Sequence, residues 1–293
     1  MNLTMTVLGI VAPVFLLAGV GFAWVRLGFD YPLQFVTRLA MTLALPCLIF
    51  TALMRAEADL AALAEVTLAA VLAHVAIAAM LLPLLAALRL DLRSYLAPLT
   101  FGNTGNLGLP LALFAFGQKG LEIAVVILAV SIILMFTVGI RMVAGHGAWH
   151  RMLREPMIWA TCLGGLFLWQ GWQTPPVITN TLDLAGQMAI PLMLITLGVA
   201  MARLSAARLG HAMALSVVKL ILCAGIAWGI GCVLDLPPVA FGVLVVQMAT
   251  PVAVTSYLLA AKYGADDEAA AGLVLTSTLL AAPGLALLLA LLL

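Results

Sequence analysis

The polar residues able to recognise a guest fall in two short stretches and at two isolated points. Residues 101–110 read F-G-N-T-G-N-L-G-L-P, so Asn103, Thr104 and Asn106 bring amides and a hydroxyl into a run that is otherwise apolar. Gln247 and Thr250 do the same beside Pro251, and His74 and Lys219 are single ionisable residues in the middle of apolar segments. Nothing here composes a reaction centre: the chain has no H-E-x-x-H, no paired aspartates in mid-segment and no Ser/His pair at a common depth. Amides, hydroxyls and one ammonium suit reversible binding. The expected guest is negative, because Glu65, Glu122, Asp183 and Asp235 all lie near predicted segment ends and none neutralises Lys219. A lysine at the centre of a bilayer costs about 3 kcal/mol or more and must face a cavity or a partner. Asn103, Thr104, Asn106, Gln247, Thr250 and Lys219 are therefore the candidate substrate-binding residues, for a small organic anion. His74 is the candidate for ion coupling, as a group that titrates near neutrality.

The elements that hold these residues are membrane helices. Hydrophobic residues make up 65% of the 293 and charged residues 9%, at a mean hydropathy of +1.23. No soluble domain of this size has such a surface, and the near-zero net charge argues against nucleic acid. Apolar runs predict ten spans, at 3–26, 31–54, 64–88, 94–117, 120–142, 156–173, 177–201, 208–233, 238–263 and 267–292. The first is read as a retained span because no basic region precedes it. Cys47, Cys162, Cys223 and Cys232 stand singly with no metal-ligand spacing, so no metal and no cofactor is expected. Gly102, Gly105, Pro110 and Pro251 are the helix-breaking residues. Freed backbone groups at membrane depth are tolerated only where protein or a polar cavity satisfies them. The second halves of two broken helices would also turn N-terminal amides, partly positive, toward the centre. Thr276, Ser277 and Thr278 read as packing hydroxyls, and Gly225 with Gly229 as a close-packing pair.

Charge orients the chain. With the N-terminus outside, ten of the thirteen Lys and Arg residues fall inside (Arg38, Arg93, Arg141 and Arg203 among them), Arg55 and Lys119 fall outside, and Lys219 lies within a span. This split predicts a cell-membrane (inner-membrane) protein with both termini extracytoplasmic. A shift of 145 residues also lays the second half on the first without gaps. Gly19 falls on Gly164, Leu45-Pro46 on Ile190-Pro191, Thr51 on Thr196, His74 on Lys219, Ser131 on Thr276, and residues 102–107 on 247–252. Five spans per copy is an odd number, so the second copy is inverted. The expected organisation is a first repeat at 1–143, a cytoplasmic link at 144–155 carrying His146, His150, Arg151 and Arg154, and an inverted second repeat at 156–293.

The stretch G-N-T-G-N-L-G-L-P in the fourth span, with A-T-P-V-A-V-T-S-Y-L-L-A-A-K-Y-G-A-D at 249–266, resembles the auxin efflux carrier family in its short prokaryotic form. The resemblance implies an all-α polytopic fold of ten helices in two inverted five-helix repeats, with helices 4 and 9 broken and crossing. It implies a scaffold unit and a transport unit that move in an elevator-like manner, as in the related bile acid sodium symporters. It implies a secondary carrier of organic anions, of which malate and malonate are the bacterial examples. The coupling ion is open between H+ and Na+, and a sodium-coupled carrier of larger amphipathic acids is the alternative. Besides the anion, the lipid bilayer is a partner, and a homodimer is left open.

Overall fold

The computed structural model describes residues 3–56, 60–144, 155–204 and 209–293. The link residues His146, His150, Arg151 and Arg154 lie outside the described residues. Among the described residues all regular structure is helical, with one isolated antiparallel bridge. The helices in chain order are α1 (Leu3–Arg26), α2 (Leu33–Met54), α3 (Leu60–Ala87), α4 (Leu92–Thr100) and α5 (Thr104–Ala144). Then follow α6 (Pro156–Gln170), α7 (Pro176–Arg203), α8 (Leu209–Val233), α9 (Pro238–Ala249), α10 (Val254–Tyr263) and α11 (Asp267–Leu292).

Seven of these are long and apolar enough to cross a membrane, against ten expected spans. The difference has identifiable causes. The predicted span 238–263 is divided into α9 and α10, each too short alone, and α6 has 15 residues. The predicted fourth and fifth spans share α5, whose 41 residues would run about 60 Å if straight, twice the hydrocarbon thickness. It is not straight: Gly117 takes φ 67° and ψ −158°, outside the helical region, and divides α5 into arms at 104–116 and 118–144.

Prolines dictate the irregularities of the other long helices. Pro46, lacking an N–H, cannot donate to the carbonyl four residues back, and a π turn at Ala40–Ala44 absorbs the misfit just before it. Three residues before Pro191, the position that matches Pro46 under the repeat, α7 is interrupted at Met188. A second π turn, Thr104–Gly108, precedes Pro110 in the same way.

Packing repeats with the sequence. The two most extensive pairings are α1 against Ala189–Arg203 of α7, and α6 against Leu45–Met54 of α2. The 145-residue shift carries α1 onto α6 and the second part of α7 onto that of α2, so each pair is the image of the other. Likewise α3 packs on α4 and α5 as α8 packs on α9 and α11, and α3 and α8 touch each other. Small residues set the first of these contacts. A Cβ on Gly198 would collide with the carbonyl of Ala18, and one on Gly21 with that of Ile195. Gly198→Ala is therefore expected to lower the unfolding temperature, at about 1–3 kcal/mol for overpacking. Gly165→Ala, in a helix with open space around it, leaves it unchanged or raised; thermal unfolding of the two purified variants makes the comparison.

Candidate functional site

Two interruptions meet in the interior. The first follows α4, where Phe101 (φ −100°, ψ 112°) leaves the helix and Asn103 (φ −83°, ψ 55°) precedes the π turn that opens α5. The second lies between α9 and α10, where Thr250 and Ala253 are extended on either side of Pro251 and Val252. Gly102 and Val252 form the antiparallel bridge, and the Asn103 N–H donates to the Pro251 carbonyl at 2.7 Å. Each break thus supplies the hydrogen-bond partner the other lacks. The remaining groups are met by neighbours. The Ser277 hydroxyl of α11 accepts from the Val252 N–H at 2.9 Å, and the Lys219 ammonium of α8 donates to the Thr250 carbonyl at 2.7 Å. The Thr250 hydroxyl donates to the Gln247 carbonyl at 2.6 Å, in place of the bond Pro251 cannot give. Glycine is required by this proximity. A Cβ on Gly102 would strike the Thr250 hydroxyl, and one on Gly108 the Gln247 amide.

The interruption of the first helix is narrower than expected. Of the four predicted helix-breaking residues, Gly102 and Pro251 lie at breaks, whereas Gly105 lies in the π turn and Pro110 in the first turn of regular α-helix. Proline is accommodated there because the π turn before it takes up the hydrogen bond that the missing N–H cannot give. The gap-free register also slips. It carries the first break, 101–103, onto 246–248, whereas the second break lies at 250–253, so the second break comes later than the shift predicts. A uniform shift takes no account of where Pro251 and Gly102 each stop their own helix.

The candidate binding residues divide into two groups. Asn103, Thr104, Gln247, Thr250 and Lys219 are buried at the breaks, with Lys219 only 2% exposed. The side-chain nitrogen of Asn103 and both amide atoms of Gln247 are buried without a hydrogen bond among the described residues, so donors and an acceptor remain unused there. Lys219 does not reach open space; it holds the break in place through Thr250. Asn106 alone of the six lines the large cleft. That cleft, about 800 Å³, is bounded by Thr37 and Arg38 of α2, Thr196 and Arg203 of α7, Thr255 and Tyr257 of α10, and Asp267 and Glu268 of α11. His74 lies behind the first break. Its Nδ1 is 2.7 Å from the Ala70 carbonyl, its Nε2 is 3.2 Å from the Ser131 hydroxyl, and its ring stacks at 5.5 Å on Phe101.

The sequence reading missed several of these roles. Arg38 entered it only as a charge that orients the chain, although it stands five residues inside α2 and has an exposed side chain. Thr196 was paired with Thr51 by the repeat, not with a cleft, and its hydroxyl meets that of Tyr31 at 2.9 Å. Ser277 is not merely a packing hydroxyl, since it satisfies the backbone of the second break. Adjacency to Pro251 is the signal that points to Thr255 and Tyr257. Arg55 takes Asp183, the residue that the 145-residue shift lays on Arg38, as a two-point partner at 2.6 and 3.1 Å.

Loss of the Ser277 hydroxyl leaves a buried N–H without a partner, a defect of about 1–3 kcal/mol. Ser277→Ala is accordingly expected to lower thermal stability. Thr278→Ala removes only a bond to the Val274 carbonyl of its own helix and is expected to do little. Equal unfolding temperatures for the two variants would contradict this role of Ser277.

The profile of the family described as "membrane transport protein" matches the chain twice, over residues 6–150 and 145–289. An uncharacterized transporter of Methanothermobacter thermautotrophicus is 28% identical over 262 residues, which cover 84% of each chain. With two interrupted helices completing each other at its centre and the profile repeated along nearly its whole length, the chain belongs to the membrane transport protein family, that of the auxin efflux carriers, and is a multi-pass membrane transporter and not an enzyme.

Proposed function

We propose that this transporter is a secondary carrier of small organic anions, of dicarboxylate type such as malate or malonate, which bind where the two breaks meet. The observation that carries this reading is the position of Asn106. It stands in the opening turn of α5, immediately after the break sealed by Asn103 and Pro251, and it borders the large cleft. Helix N-termini carry partial positive charge and unpaired amides, and both α5 and α10 begin at the breaks. An anion settling against Asn106 meets these dipoles, with the buried amides of Asn103 and Gln247 and the Lys219 ammonium as a positive and polar background.

In this reading the chain crosses the membrane ten times, as two inverted five-helix units whose fourth and ninth helices are broken and cross. The unit of α3, α4, α5 and α8–α11 moves against the unit of α1, α2, α6 and α7 in an elevator-like manner. The cleft opens to the cytoplasm and both termini lie outside the inner membrane. Supporting this orientation, the mouth of the cleft includes Arg203, while Arg93 binds the carbonyls of Val143 and Tyr263 at 3.0 and 3.2 Å and so gathers helix ends rich in basic residues. The positive side of a membrane protein is its cytoplasmic side.

For coupling, the proton reading has a specific support. A carbonyl only accepts, so the Nδ1 of His74 donates to Ala70, and its Nε2 is left to face a hydroxyl that is itself 2.9 Å from the Ile127 carbonyl. With neutral His74, Ser131 donates to Nε2; with protonated His74, Nε2 donates to Ser131 and the hydroxyl turns to Ile127. Both charge states are fully hydrogen-bonded, and either is felt at the break through Phe101. A sodium ion would compete with the Lys219 ammonium for the Thr250 carbonyl. The size of the cleft, about 800 Å³, is what favours the second reading, a sodium-coupled carrier of larger amphipathic acids.

Counterflow of labelled malate or malonate in proteoliposomes tests the site: Asn106→Ala is expected to reduce uptake at low substrate by about tenfold, the loss of one charge-assisted hydrogen bond. Unchanged counterflow would remove Asn106 from the site. The coupling reading is checked by uptake against pH and against sodium. His74→Gln flattens the pH profile and sodium leaves the wild type unaffected; the opposite pattern supports the sodium-coupled alternative.

A further inference from the structure

We propose that Arg38 is the residue that selects a doubly charged anion: it binds the second carboxylate of a dicarboxylate whose first carboxylate rests on Asn106. The proposal builds on the anion-carrier reading and names the specificity group of that same site.

Arg38 is the fifth residue after Leu33, the start of α2, so it stands about 7.5 Å inside the helix end. Among the described residues its guanidinium has no hydrogen bond and no ion pair, and the side chain is exposed to the cleft. A guanidinium inside a membrane protein is costly unless it faces water or a partner, and it marks a ligand path when it does. The other charges of the cleft sit differently. Arg203 closes α7 and is occupied by the Tyr31 carbonyl at 2.8 Å. Asp267 and Glu268 form the first turn of α11, where the helix start stabilises their charge. These three lie at helix ends and Arg38 lies within its helix, with Asn106 on the same cleft wall system. Lys219, the other cation at depth, is sealed on Thr250 and cannot reach the guest.

The chemistry of the pair follows. The planar fork of arginine accepts a carboxylate by two parallel N–H···O bonds, a geometry that an ammonium does not reproduce. The Asn106 amide, in the opening turn of α5, suits a single carboxylate with support from the helix start. A monocarboxylate uses only one of the two anchors, whereas a short dicarboxylate uses both. Asp267 and Glu268 oppose a dianion more than a monoanion, so they reduce the selection for which Arg38 is the source.

The experiment measures thermal stabilisation of the purified full-length protein by malonate and malate, and by acetate and propionate as single-carboxylate probes. Arg38→Gln is expected to weaken malonate and malate by about tenfold or more while leaving the monocarboxylates within about twofold, and Arg38→Lys falls between. A double variant, Asp267→Asn with Glu268→Gln, tightens the dicarboxylates about two- to threefold, an effect that shrinks at high salt. If Arg38→Gln binds dicarboxylates like the wild type, or weakens both classes equally, the proposal falls while the carrier reading stands. If the wild type responds to neither class, both fall. Should Arg38→Gln not purify, Arg38→Lys decides: a preference for dicarboxylates equal to that of the wild type overturns the assignment.

Discussion

A backbone that leaves the helix inside a membrane protein must find partners for its N–H and C=O groups without help from water, and this constraint organises the whole molecule. Here the solution is reciprocal. The break after α4 is completed by the break after α9, through Asn103 and Pro251 and the facing of Gly102 with Val252. What the two strands cannot give each other comes from side chains of the helices behind them, Lys219 from α8 and Ser277 from α11. Glycine at 102 and 108 follows from the same closeness, since any Cβ would occupy the place of Thr250 or Gln247. A lysine in a hydrophobic interior is thus a consequence of the break it binds and not an independent oddity.

This arrangement separates two tasks that a list of polar residues runs together. One set of groups builds the centre: Lys219, Thr250 and Ser277 bond to backbone, and the space beside Gly102 is taken by the Thr250 hydroxyl. Another set borders open volume: Asn106 from the break itself, and Arg38, Thr196, Thr255 and Tyr257 from the surrounding helices. The second set is drawn from α2, α5, α7 and α10, so the cleft lies between helices that pack in different groups.

The internal repeat has a similar double character. It sets the pairings of α1 with α7 and of α6 with α2, and the equivalence of α3 with α8. It does not make the two centres alike. His74 turns to Ala70 and Ser131, whereas Lys219, its counterpart by register, donates to the backbone of the second break. Arg38 and Asp183, which the 145-residue shift superposes, likewise part company, one in the cleft and the other bound to Arg55.

Much of this was legible in the residues. Apolar runs, the positive-inside distribution, the 145-residue repeat and the unusual density of Gly, Asn and Pro at 101–110 are each local or additive signals, and they determine a helical membrane protein broken at two related places. Depth along a span was equally readable, which is why His74 and Lys219 stood out. Direction around the helix was not. Whether a polar side chain at a given depth faces a carbonyl, a neighbouring hydroxyl or an open cleft depends on which helices surround it, and a uniformly apolar sequence with little amphipathic contrast leaves that rotation unmarked. So Lys219 was read as facing the guest and Arg38 only as a topological charge. Tertiary packing decides such cases: the Thr250 carbonyl takes its donor from Lys219 of α8 at 2.7 Å, while Arg38 of α2 borders the same cleft as Asn106.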